Sequence, residues 1–150
     1  MRQFKPSDMG KIRVIEEASM RYVTPFSSLA LHYEIVPEGF LVAEVDGEVV
    51  GYVIANLRKT QEGSEEGHIL AVAVDPAHRR RKVGTALMEQ ITGVFKGKGV
   101  DQLSLEVKES NREARNFYLN LGFREICVAK HYYRMRGYTE DAVMMVKKIK

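Results

Sequence analysis

The sequence is poor in cysteine, in long apolar runs and in net charge. Cys127 is the only cysteine among 150 residues, which excludes a disulfide framework and a zinc cluster built from several thiolates. No apolar run approaches the roughly 20 residues of a membrane-spanning helix. The early Arg and Lys of the N-terminus also lack the apolar stretch that follows in a signal peptide. These absences predict a cytoplasmic protein.

The charges are nearly balanced overall but unevenly distributed. Lys and Arg total 23 against 20 Asp and Glu, a formal charge of +3, and this excess is too small to indicate a nucleic-acid partner. An acidic stretch at residues 62–66 is followed closely by the basic run Arg79, Arg80, Arg81 and Lys82. Such a run indicates a site for a compact anion if a pocket surrounds it, and a solvated surface otherwise.

The length of the chain and its periodicity indicate the fold class. The 150 residues suit one domain with a single core, residues 1–150. Hydrophobic patterning predicts elements in the order β-α-α-β-β-β-α-β-α-β-β, with no internal repeat or linker. This order is typical of an α/β fold in which a mixed central sheet of about six to seven strands carries about four helices on its two faces.

Cap and turn residues mark the elements of the first half, which are a short opening strand, two helices and a hairpin. The first helix is expected to bury Met9, Ile12, Ile15 and Val14. The boundaries are Ser7-Asp8 at the first helix, Thr24-Pro25 at the second, which runs to about residue 35, Asp46-Gly47 in the hairpin, and a polar loop at residues 59–67.

The second half alternates strands with amphipathic helices. Residues 68–74 form a nearly continuous apolar run, which predicts a central strand covered on both faces. Helical spacing from Val83 onward predicts a helix closed by Gly97 and Gly99. Further predictions are a strand at residues 103–107, a helix opened by a Ser110–Glu113 capping box, and strands at 123–128 and 141–149 joined by an aromatic, basic loop.

A buried strand, a basic turn and an amphipathic helix follow one another around residues 71–90. The first N–H groups of a helix have no intrahelical partner, and the helix dipole adds partial positive charge there. A strand that ends at such a turn therefore makes a pyrophosphate site without a metal. The Walker loop and the dinucleotide-binding pattern are both absent.

This stretch resembles the acyl-CoA-binding motif of the GNAT acetyltransferase superfamily, in which a strand ending V-x-P leads into Arg/Gln-x-x-Gly-x-Gly/Ala. Arg79 matches the first position and Gly84 the last, whereas Lys82 stands where the first glycine is expected. If position 82 needs a positive φ, lysine costs on the order of 1 kcal/mol there. The resemblance implies acetyl-CoA as cosubstrate, no metal, and a donor site formed by Val72, Ala73, Val74, Arg79, Arg80, Arg81, Lys82, Val83, Gly84, Thr85, Asn111 and Tyr118.

Transfer of an acetyl group to an amine needs a base for the ammonium proton and an acid for the departing thiolate. The following helix resembles the second GNAT region, N-x-x-A-x-x-x-Y-x-x-x-G-F. Its matches imply that Asn111 hydrogen-bonds the CoA arm and that Tyr118 is the general acid. Taken alone, Tyr118 would also fit ordinary core packing.

The base is less sharply defined by the sequence. The segment L-E-V before this helix resembles the bacterial ribosomal-protein alanine N-acetyltransferases, in which the Glu acts as base, and this nominates Glu106. His68 and His131 stay open as alternative bases or as holders of a water molecule. Cys127 lies in an apolar context and is expected in buried packing rather than as a nucleophile.

The chain also resembles the catalytic subunits of archaeal and eukaryotic protein N-terminal acetyltransferases. The resemblance implies that Tyr132, Tyr133 and Tyr138 form a wall of the acceptor channel and that Phe26 lines the pocket of the first residue. The predicted function is acetyl-CoA-dependent N-acetylation of a protein or peptide N-terminal α-amine by direct transfer. No nucleic-acid or membrane partner is expected, and the protein is expected to be a monomer or homodimer.

Three other functions stay open. The same chemistry could act on a lysine side chain or a small-molecule amine. The basic turn could serve a nucleic-acid-binding module, whose binding would depend steeply on salt. A degenerate fold of this family could bind CoA only as a regulatory ligand.

Overall fold

The computed structural model describes residues 1–19, 37–79, 82–135 and 138–150, and leaves the side chains of residues 19, 131–135 and 138 undescribed. The predicted second helix falls outside these residues. The strands are β1 (Arg2–Gln3), β2 (Phe40–Val45), β3 (Glu48–Lys59), β4 (Glu65–Val74), β5 (Gln102–Lys108), β6 (Arg124–Met135) and β7 (Tyr138–Lys148). The α-helices are α1 (Met9–Ser19), α2 (Val83–Gly97) and α3 (Arg112–Asn120), and short 3-10 turns occupy Pro6–Asp8, Pro37–Gly39 and Pro76–His78.

The strands form one seven-stranded mixed sheet in the order β1-β2-β3-β4-β5-β7-β6. The β4–β5 pair is parallel, because α2 crosses over between these two strands, and the other neighbours are antiparallel. The predicted mixed sheet is confirmed.

The two faces of the sheet carry separate apolar clusters. On one face, Leu87, Ile91 and Phe95 of α2 pack with residues of β2 to β5, and α3 adds partly buried side chains. On the other face, Ile12 and Ile15 of α1 pack against the central strands. Helices therefore cover both faces, as the order of the elements predicts.

The start of α1 differs from its predicted form. Asp8 does not cap the helix; its Oδ2 accepts the N–H of Lys5 at 2.8 Å and its carboxylate pairs with Arg2, which ties the 3-10 turn to β1. Val14 is 55% exposed whereas Ile12 is fully buried. The two positions are about 200° apart around the helix at 100° per residue, so the predicted burial of Val14 is wrong.

The β2–β3 hairpin forms as predicted, with Asp46 at φ 52° and Gly47 at φ 80°. The predicted loop at residues 59–67 is too long, because β3 runs to Lys59 and β4 begins at Glu65. Arg58 pairs with Glu66 and Lys59 with Glu65 across the two strands. Opposite charges at facing positions stabilise an antiparallel pair, and they extend the strands into a segment whose polarity indicated a loop.

The last two strands are also longer than predicted. The predicted aromatic loop is mostly strand, since β6 runs to Met135 and β7 begins at Tyr138. The predicted burial of Cys127 is wrong, and its side chain is exposed. β6 is the edge strand of the sheet, and Ile126 and Val128 are also about half exposed, at 47% each. An edge strand leaves both of its faces less covered than a central one.

Within the described parts of the chain, no helix is both long enough and apolar enough to cross a bilayer.

Candidate active site

β4 and β5 separate partway along their length. The described ladder between them pairs Gly67 with Leu103, His68 with Ser104 and Ile69 with Leu105, although β4 continues to Val74. The other edge of β4 stays paired with β3 to Val74. Backbone groups of β4 beyond Ile69 therefore face a gap instead of a neighbouring strand. The prediction that both faces of this strand are covered also fails near this point, because Leu70 is 40% exposed.

A cleft of about 720 Å³ opens where the two strands part. It brings together every described residue of the predicted donor site. Pro76, His78, Glu113, Ala114 and Phe117 complete its wall and were not among the predicted donor-site residues. Arg80 and Arg81 lie outside the described residues. The predicted residues on the wall are Val72, Ala73, Val74, Arg79, Lys82, Val83, Gly84, Thr85, Asn111 and Tyr118.

The N-terminus of α2 forms part of the wall of this cleft. Lys82 is the N-cap in the left-handed conformation, at φ 60° and ψ 24°, and its carbonyl accepts the N–H of Ala86 at 3.0 Å. The three N–H groups from Val83 to Thr85 precede that first bond and have no intrahelical acceptor. The position where the family motif has glycine thus does have a positive φ here.

Gly84 lets α2 begin close to α3. A Cβ at this position would lie 3.2 Å from the Phe117 ring, which is tighter than an ordinary van der Waals contact. On the strand side of the cleft, Arg79 Nε donates to the Val74 carbonyl at 3.3 Å. The first arginine of the basic run is thus placed at the end of β4.

Asn111, rather than Ser110, is the N-cap of α3, so the predicted capping box is wrong. The Asn111 Oδ1 accepts the N–H of Ala114 at 3.1 Å, while Ser110 Oγ hydrogen-bonds the Glu140 carboxylate. Asparagine and serine are both favoured as helix N-caps, and here Asn111 takes the position that the sequence indicated for Ser110. Its side-chain NH₂ group keeps its donors while Oδ1 caps the helix.

Tyr118 lies on α3 between two other aromatic rings. It makes edge-to-face contacts with Phe117 at 5.2 Å and with Phe123 at 5.7 Å between ring centroids. Burial raises the pKa of Tyr118 to about 12, so its hydroxyl is protonated at neutral pH. The ring belongs to the apolar cluster under α2 and also lines the cleft, which reconciles the core and site interpretations of the sequence.

Glu106 lies on the opposite face of the sheet from Tyr118. Leu105 and Val107 pack into the cluster under α2, and alternation along the strand directs Glu106 to the α1 face. Its Oε2 lies 2.5 Å from His68 Nε2 and its Oε1 accepts from Arg58 Nη1 at 3.4 Å. The side chain is only 7% exposed.

The charge state of Glu106 follows from these neighbours. Burial by itself raises the pKa of a carboxyl group, but the hydrogen bonds and charges of His68 and Arg58 outweigh it and hold the pKa of Glu106 below its ordinary value. The carboxylate is thus ionised at neutral pH. The His68 ring nitrogen lies within hydrogen-bond distance of Oε2, so the two side chains form one hydrogen-bonded pair.

The remaining predicted residues are placed only in part. Tyr132 and Tyr133 lie on β6 and Tyr138 begins β7, with Tyr133 opposite Glu140; their side chains are not described. Phe26 lies outside the described residues. Arg58 was not identified from the sequence, because its contacts with Glu66 and Glu106 depend on the alignment of three separate strands.

The family is established by comparison with known proteins. Residues 10–123 match the model of the Acetyltransferase (GNAT) family, and the chain belongs to that family. It is therefore an acyltransferase of the acetyl-CoA-dependent class, as the two sequence motifs predict.

Within this family, the chain is similar to several protein N-terminal acetyltransferases. The N-alpha-acetyltransferase of Sulfurisphaera tokodaii is 33% identical over 153 residues, covering 97% of this chain and 90% of that protein. The [Ribosomal protein bS18]-alanine N-acetyltransferase of Escherichia coli is 37% identical over 86 residues, covering 57% and 58%. The crystal structure of Chaetomium thermophilum Naa20 in complex with a bisubstrate analogue superposes with a TM-score of 0.89 at 27% identity, covering 98% of this chain and 85% of that one. The resemblances drawn from the motifs are confirmed.

Proposed function

We propose that this protein transfers the acetyl group of acetyl-CoA to the α-amine of a protein or peptide N-terminus. The relative from Sulfurisphaera tokodaii, which spans 97% of the chain, is an N-alpha-acetyltransferase. The observation that carries the proposal is the placement of Glu106 and Tyr118. An ionised carboxylate on one face of the sheet and a protonated phenol on the other flank the gap between β4 and β5.

The cleft fits a donor with a long arm and a pyrophosphate. The free strand edge at residues 72–74 offers backbone groups to the arm, and the N–H groups at the start of α2, with Lys82, offer a cradle to the phosphates. Gly84 lets this end of α2 lie close to α3, because a Cβ there would meet Phe117. Asn111 lines the cleft, and its amide NH₂ is proposed to donate to the arm. When bound, acetyl-CoA supplies an acetyl group activated as a thioester.

The protein's own groups then handle two protons. Glu106, paired with His68, accepts the proton that the ammonium nucleophile must lose before nitrogen attacks. Tyr118 gives its hydroxyl proton to the sulfur as the carbon–sulfur bond breaks, and its raised pKa keeps that proton available. The carbon–nitrogen bond forms in the gap between them. The base side and the acid side are kept apart by the sheet itself.

The acceptor peptide is proposed to approach on the α1 face, where Glu106 and His68 lie. Tyr132, Tyr133 and Tyr138, at the far end of the β6–β7 hairpin, are proposed to line its channel, with Phe26 at the first side chain. The cytoplasmic location and the monomeric or homodimeric state stay predictions from the sequence.

The test is a transfer assay on a pool of peptides that vary in their first residue. Each peptide is paired with a copy that is blocked at the α-amine and carries a free lysine, and products are located by mass spectrometry. Acetylation confined to free α-amines is the expected result. Acetylation of the blocked copies would move the activity to lysine, and no transfer to either set would overturn the proposal.

A further inference from the structure

A second buried carboxylate lies behind Glu106 on the same face of the sheet. Glu66 on β4 is 5% exposed. Its Oε1 accepts from Arg58 Nε at 2.7 Å and from Ser104 Oγ at 2.9 Å, and its Oε2 accepts from Gln102 Nε2 at 2.9 Å. Burial opposes ionisation, but these donors outweigh it and lower the pKa of Glu66. Glu66 is thus a fixed negative charge.

Arg58 joins this carboxylate to Glu106. The cross-strand register places Arg58 directly opposite Glu66, and the 2.7 Å bond from Nε fixes the direction of the guanidinium. Its outer nitrogens then reach the β5 side chains, with Nη1 at 3.4 Å from Glu106 Oε1 and Nη2 at 3.3 Å from Ser104 Oγ. The planar fork of arginine permits this three-way contact, which a lysine ammonium cannot reproduce.

Both oxygens of Glu106 are therefore held from different strands. Oε2 faces His68 of β4, and Oε1 faces Arg58 of β3. Among the described side chains, these two bond directly to Glu106, with Glu66 bonded to Arg58, while Met144 of β7 lies beside Glu106 in register. Two carboxylates share one guanidinium, so the cluster carries a net negative charge when the imidazole is neutral.

We propose that Arg58, anchored by Glu66, is a positioning residue that fixes the orientation of Glu106 and sets its affinity for a proton. The proposal rests on the proposed role of Glu106 as base. Arg58 and Glu66 act in opposite directions on that carboxylate. The cation stabilises the ionised form, and the second anion destabilises it and also occupies the cation's strongest bond.

The two charges predict shifts of opposite sign. Arg58→Gln removes the cation, and the pKa of Glu106 is expected to rise by about one unit. Glu66→Gln removes the competing anion and leaves the charge of Arg58 to Glu106, so the pKa of Glu106 is expected to fall. The double variant Arg58→Gln/Glu66→Gln removes both and is expected to lie between the two single variants. It also avoids leaving Glu66 buried without its cation, which protects the test against a failure of Arg58→Gln to fold.

The experiment titrates the carboxyl group itself. Protein labelled with ¹³C at the glutamate side-chain carboxyls is followed by NMR against pH, and the Glu106 signal is assigned by its absence in Glu106→Gln. The acidic limb of the kcat/KM profile is measured in parallel and is expected to move with the carboxyl pKa. Arg115→Gln, which removes a cation paired with Glu125 on the exposed side of α3, is the matched control and is expected to shift neither.

Three outcomes would overturn the proposal. The pKa of Glu106 could stay within about 0.3 unit of the wild-type value in Arg58→Gln, or it could move in the same direction in both single variants. The pKa of Glu106 could also move as expected while the acidic limb of the kcat/KM profile stays fixed, which would show that Arg58 has no effect on the reaction. The titration needs no turnover, so a protein that acetylates no peptide fails the proposed function and still yields the carboxyl pKa values.

Discussion

Lys82 is a residue with a Cβ that adopts a backbone conformation usually occupied by glycine. At φ 60° it is, with Asp46, one of the non-glycine residues with positive φ in the described ranges. The left-handed conformation costs a residue with a Cβ roughly 1–2 kcal/mol. Its charge, at the entrance of a cleft suited to phosphates, is the compensating gain that the structure suggests.

Replacement of Lys82 separates these two effects. Lys82→Gly relieves the strain and is expected to be more stable than Lys82→Ala by about 1 kcal/mol in urea unfolding, since alanine keeps the Cβ. Both variants lose the ammonium group and are expected to bind acetyl-CoA more weakly, to a similar extent, by calorimetry. Equal stability of the two variants would show that the backbone at this position is not strained.

At the scale of elements, Asp8 ties the first strand to the 3-10 turn that precedes α1. Its carboxylate accepts from Arg2 Nη1 at 2.8 Å and from Arg2 Nη2 at 2.9 Å, and also from the Lys5 N–H. The bond to Arg2 is the main reason that the pKa of Asp8 is lowered, with burial opposing it. A folded-state pKa below the unfolded value contributes stability above the unfolded pKa, and this contribution is lost as pH falls through the folded value.

The variant Asp8→Asn tests this contribution. It is expected to be less stable than the wild type at pH 7 by about 1–2 kcal/mol. The difference should shrink progressively below about pH 4 as the wild-type carboxyl becomes protonated. Urea unfolding at a series of pH values measures it. Glu44→Gln, which removes the more exposed partner of Arg2, is the control and should change stability little; a pH-independent difference for Asp8→Asn would contradict the account.

The junction between α2 and α3 depends on the close approach at Gly84. Gly84→Ala places a Cβ 3.2 Å from the Phe117 ring, so the ring or the start of α2 must shift by a few tenths of an ångström. Acetyl-CoA binding is expected to weaken roughly tenfold, or about 1.4 kcal/mol.

Gly93 on the same helix provides the control for this change. A Cβ at Gly93 has no neighbour within 4 Å, so Gly93→Ala is expected to raise stability by about 0.5–1 kcal/mol through helix propensity. Acetyl-CoA affinity should stay unchanged in that variant. If Gly84→Ala bound acetyl-CoA as tightly as Gly93→Ala, the close approach would have no part in binding.

For the molecule as a whole, the features that depend on residues close in sequence were predicted better than those that depend on contacts between distant strands. The Asp46-Gly47 turn, the helix from Val83 and the donor motif each depend on neighbours in sequence, and the structure places the described donor residues on one cleft. The predicted burial of Cys127 was wrong because β6 is an edge strand, and the order of strands in the sheet is not encoded in the local sequence around Cys127.

The parts of the site that the sequence missed are long-range. Arg58 reaches Glu106 across 48 positions of the chain, and its loop-like polar context gave no sign of a buried network. The pairing of His68 with Glu106 likewise follows from the parallel β4–β5 register and not from spacing. A motif search identifies residues that lie near each other in sequence, whereas this network exists only once three strands are aligned.

In the proposed reaction, Glu106 and Tyr118 divide the proton transfers between the two faces of the sheet. The most direct measurement is the single-turnover rate of acetyl transfer to a free α-amine peptide in the wild type, Glu106→Gln and Tyr118→Phe, with acetyl-CoA affinity measured by calorimetry on the same samples. Both variants are expected to lose about 100-fold or more in rate while Kd for acetyl-CoA changes less than about twofold. A Tyr118→Phe protein that transfers acetyl at the wild-type rate would contradict the claim.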